Sequence, residues 1–431
     1  MTSQRTGLVR ALGRWSLAAL AVNSVIGSGI FGLPSTVAGY LGKQSTVAVL
    51  IAGAAMAIVM ACFAEVASQF SETGGPYLYA RTAFGRLTGL LVGWTLYLSQ
   101  VAAPAANANL FVIYLAEFWA RAKEPWPRFL VLSLLVWVLA LINARGARQG
   151  AAVSNVFTVA KILPLLMVIS AGAALTLFHP MPWNGATTHP ASAWMKAIFL
   201  LIFAYGGFES ALAPTGEARN PARDTGFALL VTIVTCTAIY AMVQWVVVGV
   251  LGPGATSDRP LAEVARVTMG NRGAGLVAIG AMVSVYGYIS AKLLGMPRVT
   301  FALAEGGDLP RVFATVSRKF HTPWFSILVY AAAVWGLALV MGFYGNVTLS
   351  VLARLFYYGV VCAALIALRR KQPRAAGFRL PGGPVWAVLG VVIMLVLATR
   401  ADLKGSFILG ITVVAAVVNW LWARKTGATV W

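Results

Sequence analysis

The sequence is poor in charged residues, which account for only 10% of its 431 positions. Acidic residues are the scarcest, because the chain has 12 Asp and Glu against 33 Lys and Arg. A soluble domain has about 25% charged residues, so this chain has too few to cover a surface that faces water. We therefore exclude a soluble globular protein and place the chain in a lipid bilayer.

Cysteine and histidine are also rare, with three of each. The cysteines fall inside apolar runs, where they are typical of small packing residues: Cys62, Cys236 and Cys362. The histidines fall between such runs: His179, His189 and His321. A disulfide framework or a metal site needs its ligands close together, so the sequence predicts neither. We also do not predict an enzyme, because His, Cys or acidic residues do not cluster inside the spans.

Long apolar runs make up most of the sequence, and each can cross a hydrocarbon core as a helix. About 20 residues suffice for a crossing, and we count about twelve runs. They are roughly 15–40, 46–69, 87–119, 127–143, 151–177, 194–213, 226–251, 273–300, 323–342, 347–368, 383–400 and 405–423. Strands of a membrane barrel would be shorter and would alternate apolar with polar residues. The predicted fold is an all-α polytopic membrane protein that forms one domain over 1–431.

The excess of positive charge predicts an orientation in the membrane. The formal net charge is +21, which would also suit a protein that binds nucleic acid. Most Lys and Arg, however, fall in segments that become cytoplasmic if both termini are inside, as the positive-inside rule requires. The segment Arg121–Arg128 is a local exception on the outer side. We therefore predict both termini in the cytoplasm, a cytoplasmic (inner) membrane location and no nucleic-acid partner.

The stretch NSVIGSGIFGLP, Asn23 to Pro34, contains the pattern G-x-G-x-x-G inside the first apolar run. In a dinucleotide-binding fold this pattern follows a strand and is trailed about 20 residues later by an acidic residue. The first acidic residue here is Glu65, and the flanking residues are apolar, so we reject a nucleotide cofactor. The glycines either let helices pack closely or interrupt the helix and expose backbone N–H groups to an anion.

A second interruption favours the broken-helix interpretation. The stretch FAYGGFES, Phe203 to Ser210, places Gly206 and Gly207 within the sixth apolar run. Glycine-interrupted segments at matching positions of two halves indicate the binding site of a transporter built from inverted repeats. We predict repeats at 1–177 and 194–368, with broken helices one and six, followed by two accessory helices at 383–423.

Four motifs in order resemble the amino acid–polyamine–organocation (APC) superfamily of transporters. They are IGSGIFGLP, FAYGGFES, GEARNPARD (Gly216 to Asp224) and AEGGDLPRVFATVSRKFHTP (Ala304 to Pro323). VFTVAKIL, Val156 to Leu163, resembles the fifth helix of the L-type amino acid transporters. The GGFES and ARNPARD motifs are also similar to the arginine/agmatine antiporter branch. The resemblance implies a LeuT-like core of five plus five helices, with an amino acid bound at its two broken helices.

The resemblance also implies the residues of the substrate site. The α-carboxylate is expected at the N–H groups around Ser28 and Gly29 and at the Ser28 hydroxyl. The amino group is expected at carbonyls near Val25, Phe203 and Gly206, with the Phe203 ring as a gate or, alternatively, as ordinary packing. Together the residues assigned to substrate binding are Val25, Ile26, Gly27, Ser28, Gly29, Phe203, Ala204, Gly206 and Lys292.

Charged residues inside spans are functional hypotheses by default. The resemblance implies that Lys161 matches a lysine that takes the place of a sodium ion in some relatives, which makes it a candidate carrier of the coupling proton; alternatively it reaches the membrane interface. Glu209 is a candidate proton carrier or a fixed hydrogen-bond partner. Arg354 either lies near the end of its span or faces a cavity. The remaining acids are expected to pair with arginines at loops and helix ends: Glu65, Glu72, Glu217 and Asp308.

Lys292 is a departure from the pattern of the relatives. Counting back from AEGGDLP places it where they have a substrate-facing aromatic or small polar residue. There it would repel cationic substrates such as arginine; alternatively it extends toward the cytoplasmic face.

The sequence therefore predicts a secondary active transporter of amino acids that works by alternating access, with neutral amino acids favoured. An amino acid/polyamine antiporter, an amino acid exporter and, outside the class, a channel or a sensor remain as alternatives. We predict no cofactor and no metal, with a coupling proton as the one additional species. No partner subunit is evident, and the protein is expected to be a monomer or a homodimer.

Overall fold

Helices account for the regular structure of the computed structural model. The structure describes residues 13–70, 74–146, 151–178, 188–209, 212, 221–254, 256–305, 307–372 and 377–425, and within this part no strand occurs. The helices are α1 Arg14–Val25, α2 Ser28–Gly32, α3 Pro34–Leu41, α4 Ser45–Ala67, α5 Gly75–Phe84, α6 Arg86–Leu115, α7 Pro125–Ala144, α8 Ala151–Phe178, α9 Ala191–Tyr205, α10 Pro221–Leu251, α11 Pro260–Glu305, α12 Trp324–Val340, α13 Phe343–Lys371, α14 Gly383–Ala398 and α15 Leu403–Lys425. The predicted all-α fold is confirmed.

The apolar runs of the sequence become helices of membrane-spanning length. In the described part of the chain, 9 helical segments are long and apolar enough to cross a membrane. Three shorter apolar helices coincide with the other predicted spans, namely α9, α12 and α14. The protein is thus a multi-pass membrane protein, while the count of twelve crossings and the two inverted repeats stay predictions.

Outward-facing residues of the peripheral helices match a lipid environment. On α15, Leu403 is 91% exposed and Phe407 is 70% exposed, and on α7 Leu134 is 67% exposed. Water would be a poor solvent for such a surface, whereas acyl chains are as apolar as these side chains. We infer that α7 and α15 lie at the lipid boundary of the bundle.

One helix is longer than the sequence indicated. The predicted span 273–300 lies inside α11, which begins at Pro260. Gly270 interrupts this helix with a φ of 71°, a conformation that favours glycine. The predicted run therefore matches the part of α11 that follows this kink.

Candidate functional site

The first apolar helix is broken where the glycine pattern predicted. α1 ends at Val25, Ile26 and Gly27 have extended backbone conformations, and helical structure resumes at Ser28. The N–H groups in the first turn of a helix have no partner within that helix. The Ser28 hydroxyl is buried beside them and has no hydrogen-bond partner among the described residues. This end of the break therefore offers several donors to an anion.

The sixth predicted span is also broken at its glycines. α9 ends at Tyr205, Gly206 is extended, and Gly207 has a φ of 115°, which favours glycine. A Cβ atom at Gly207 would overlap the carbonyl oxygen of Ser24 on α1. The second break therefore depends on glycine both for its backbone conformation and for its close approach to the first.

The two breaks lie against each other in the interior. A Cβ atom at Gly29 would lie 2.6 Å from the Cα atom of Ala204, so the absence of a side chain lets α2 pack on α9. The Tyr240 hydroxyl on α10 lies 3.1 Å from the Val25 carbonyl oxygen and 3.0 Å from that of Ala204. A single hydroxyl thus joins the two interrupted segments.

Lys161 on α8 contacts the first break directly. Its Nζ donates to the carbonyl oxygens of Asn23, at 2.9 Å, and Ile26, at 3.1 Å. The side chain is only 5% exposed, so it does not extend to a membrane interface. The last carbonyls of a helix lack intrahelical donors, and the ammonium group supplies two hydrogen bonds to them. A part in proton coupling stays a prediction.

Glu209 follows the second break and is buried among hydroxyl and N–H donors. Tyr357 donates to its Oε1 at 2.8 Å, Tyr358 donates to Oε2 at 3.2 Å, and the Gly207 N–H donates to Oε2 at 3.0 Å. Arg354 lies close, with Nε 3.9 Å from Oε1. This arrangement is that of a fixed partner that holds the break, and a role as proton carrier stays a prediction.

Arg354 lies near the middle of α13 and is 1% exposed, so it is not at the end of its span. Its Nη1 donates to the Phe203 carbonyl at 3.1 Å, and its Nε donates to the Ser99 hydroxyl at 3.1 Å. Its Cζ lies 5.5 Å from the centroid of the Phe203 ring. The guanidinium group therefore contacts the second break through both the backbone and the side chain of Phe203.

The predicted carbonyl acceptors for the amino group are not equivalent. The Phe203 carbonyl accepts hydrogen bonds from Arg354 and, at 3.2 Å, from the Gly206 N–H. A carbonyl oxygen has two lone pairs, so that of Phe203 is fully used in this conformation. The Val25 carbonyl accepts from Tyr240 and has the capacity for a second donor.

Lys292 on α11 is partly buried near the same site. Its Nζ lies 5.4 Å from the centroid of the Tyr288 ring, and a Cβ atom at Gly27 would lie 3.9 Å from Tyr288 Cδ2. Glu209 and Arg354 are close enough to interact with its charge. The Tyr288 ring therefore lies close to both Lys292 and the first break.

Several polar residues of the site were missed by the sequence analysis. They belong to apolar helices distant in the chain: Ser99, Tyr240, Tyr288, Tyr357 and Tyr358. Their hydroxyl groups inside membrane spans were the available signal, because a buried hydroxyl needs a partner. No sequence spacing relates them to the glycine breaks.

Acidic residues outside the site pair with arginines, as expected. Both carboxylate oxygens of Glu65 accept hydrogen bonds from Arg369, at 2.6 and 2.7 Å. Asp308 accepts from Arg86 at 2.9 Å and from Tyr77 at 2.5 Å. Burial and, to a lesser extent, the bond to Asp308 raise the pKa of Tyr77 to about 12. The remaining two expected pairs involve Glu72 and Glu217, which lie outside the described residues.

Comparison with known proteins shows a family over nearly the whole chain. A family model described as "Amino acid permease" matches residues 12–421. The methylthioribose transporter of Bacillus subtilis is 27% identical, with 98% of this chain and 95% of the relative covered. The branched-chain amino acid permease BcaP of the same organism is 27% identical with the same coverage. The arginine/agmatine antiporter of Chlamydia pneumoniae is 26% identical, with 94% of this chain and 88% of the relative covered.

Proposed function

The chain belongs to the amino acid permease family of membrane transporters, and we propose that it is a secondary active transporter with its amino acid site at the two helix breaks. The observation that supports this site most directly is the contact between the breaks, which share the Tyr240 hydroxyl. In the same place the hydroxyl of Ser28 is buried and lacks a partner among the described residues. Unwound helices at the centre of a transporter are a recurrent place for substrate binding.

The chemistry of the breaks suits a zwitterion. The α-carboxylate would accept hydrogen bonds from the N–H groups of Ser28 and Gly29 and from the Ser28 hydroxyl, at the positive end of α2. The amino group would donate to backbone carbonyls, with those of Val25 and Gly206 as the candidate acceptors besides Phe203. The two charged groups of the substrate would then be hydrogen-bonded by backbone groups and the Ser28 hydroxyl, so that neither is buried without a partner.

The side chain of the substrate is assigned from Lys292. A substrate cation about 8 Å from this fixed cation, at an effective dielectric near 20, is disfavoured by roughly 2 kcal/mol. We therefore favour neutral amino acids over arginine or agmatine. Two relatives are named for amino acids as different as branched-chain amino acids and arginine, so membership of the family does not by itself select the side chain.

Coupling, location and assembly complete the proposal. Lys161 and Glu209 are the candidate carriers of a coupling proton, and transport by exchange or export uses the same site. We propose that the protein is not an enzyme, that it lies in the cytoplasmic membrane with both termini inside, and that it works as a monomer or homodimer.

Reconstitution into liposomes tests this function. Purified protein should support saturable uptake of a radiolabelled neutral amino acid, measured in competition with all twenty amino acids at two pH values. Empty liposomes and a Ser28→Leu variant serve as controls, since the larger side chain would cover the donors. Ion current without saturable uptake would instead indicate a channel, and formation of a chemical product would indicate an enzyme.

A further inference from the structure

A cationic side chain of the protein is already hydrogen-bonded to one of the carbonyls that are expected to bind the amino group of the substrate. Arg354 Nη1 donates to the Phe203 carbonyl at 3.1 Å, and the Gly206 N–H is the other donor to this oxygen. With both lone pairs in use, an incoming ammonium group can reach this carbonyl only if the guanidinium group leaves.

Gly206 makes the space for this guanidinium group. A Cβ atom at this position would overlap Nη1 and Cζ of Arg354. The backbone of Gly206, with a φ of −77° and a ψ of 160°, is one that any residue can adopt. Steric room for the arginine, and not backbone conformation, is therefore what requires glycine here.

The remaining contacts of Arg354 resemble those of a bound ammonium ion. Its Cζ lies 5.5 Å from the centroid of the Phe203 ring, within the range of a cation–π interaction. Its Nε donates to the Ser99 hydroxyl at 3.1 Å and lies 3.9 Å from a carboxylate oxygen of Glu209. The guanidinium group is thus anchored on α6 and on the segment after α9, with the Phe203 carbonyl as one of several partners.

We infer that Arg354 competes with the amino group of the substrate for the Phe203 carbonyl and so determines how strongly the site selects for an α-amino group. This inference rests on the proposed function, because it places the amino group at the second break. Binding of an amino acid must replace one charge-assisted hydrogen bond by another and must bring two cations close together. The Phe203 carbonyl therefore adds little net affinity for the amino group while Arg354 is in place, and the carbonyls of Val25 and Gly206 remain its candidate acceptors.

Matched ligand pairs measure this effect. The probes are leucine with 4-methylpentanoate, alanine with propionate, and serine with 3-hydroxypropionate; within each pair only the amino group differs. Binding is measured by isothermal titration of full-length protein in nanodiscs. The main variant combines Arg354→Met with Glu209→Gln, because removal of the arginine alone would leave a buried carboxylate without its counter-charge.

The expected result is a change in the ratio of the two dissociation constants within a pair. In the wild type the preference for the amino acid over its analogue should reflect acceptors other than the Phe203 carbonyl, namely the carbonyls of Val25 and Gly206. In the double variant the preference for the amino acid should rise about tenfold, the effect of one additional hydrogen bond to a charged group. A merely structural role of Arg354 would weaken both members of a pair equally and leave the ratio unchanged.

Two single variants complete the test. Glu209→Gln retains the guanidinium group and should keep the wild-type ratio. Gly206→Ala displaces the guanidinium group sterically while preserving both charges, and should raise the ratio even if the double variant does not fold. An unchanged ratio in Gly206→Ala would overturn the inference and leave the amino acid site intact. If no amino acid of the three pairs binds to the wild type, the proposed site fails, and the inference fails with it.

Discussion

A substitution at Ser28 can test the proposed site with little change to the structure. Its hydroxyl is buried at the start of α2 and has no partner among the described residues. Gly29 is less suitable for such a test, because any side chain there would press on Ala204. A substitution at Gly29 would therefore change helix packing together with the donors.

Removal of the Ser28 hydroxyl should weaken substrate binding without loss of the fold. We expect Ser28→Ala to raise the KM for uptake about tenfold, since one hydrogen bond to a carboxylate is lost. Ser24→Ala is the matched control, because the Ser24 hydroxyl donates to the Leu20 carbonyl one turn earlier on α1. A KM for Ser28→Ala equal to that of the control would remove the hydroxyl from the carboxylate site.

Lys161 is predicted to link transport to pH. We expect Lys161→Met to abolish uptake or to make the uptake rate independent of pH, while binding of the substrate in nanodiscs persists. The reason is that its ammonium group is the donor to the carbonyls of Asn23 and Ile26 at the first break. The exposed Lys196 on α9 provides the control, as Lys196→Met. Transport by Lys161→Met with a wild-type pH profile would leave Glu209 as the candidate carrier.

Lys292 is predicted to exclude cationic substrates. Arginine should inhibit uptake of a neutral amino acid by the wild type only weakly. It should inhibit uptake by Lys292→Ser at least about tenfold more strongly, because the repulsion between two like charges has been removed. Lys292→Arg retains the charge and should behave as the wild type does. Strong inhibition of the wild type by arginine would contradict the assignment of Lys292 to the side-chain pocket.

At the scale of helices, the sequence predicted the breaks and singled out Lys161, Glu209 and Arg354, but it did not predict which groups these side chains contact. Gly27, Gly206 and Gly207 are local signals, because a glycine pair inside an apolar run is unusual and its effect on the backbone is short-ranged. Arg354 follows Phe203 by 151 positions, and only the packing of α13 against α9 brings the two together. Contacts of this kind depend on helix rotation and depth, which apolar runs without a strong polar face do not specify.

The pair formed by Glu65 and Arg369 should stabilise the packing of α4 against α13. Its bonds of 2.6 and 2.7 Å are bidentate, and Glu65 also accepts from the Leu380 N–H at 2.9 Å. We expect Glu65→Ala to lower the free energy of unfolding by about 3–5 kcal/mol, since a mostly buried arginine loses its partner. Thermal unfolding in detergent measures this, with Arg370→Ala on the exposed side of α13 as the control. Equal melting temperatures for the two variants would show that the pair contributes nothing.

At the scale of the whole molecule, hydrogen bonds and ion pairs show which loops lie on the same face of the membrane. The Thr322 hydroxyl donates to the Ala144 carbonyl at 2.6 Å, which places the loops after α7 and before α12 on one face. Lys123 and Asp258 form an ion pair at 2.7 Å and place the loops after α6 and α10 together. These pairings agree with the alternation of the predicted spans, and the assignment of one face to the cytoplasm is a separate prediction.

Cysteine labelling of intact cells should determine that orientation. The native cysteines on α4, α10 and α13 are fully buried, so a membrane-impermeant maleimide should react mainly with an introduced thiol. The positive-inside rule places Arg121 outside and Lys319 inside, and both side chains are exposed. We expect Arg121→Cys to be labelled in intact cells and Lys319→Cys only after permeabilisation, with the unsubstituted protein as the background control. The opposite pattern would invert the predicted topology and place both termini on the outer side.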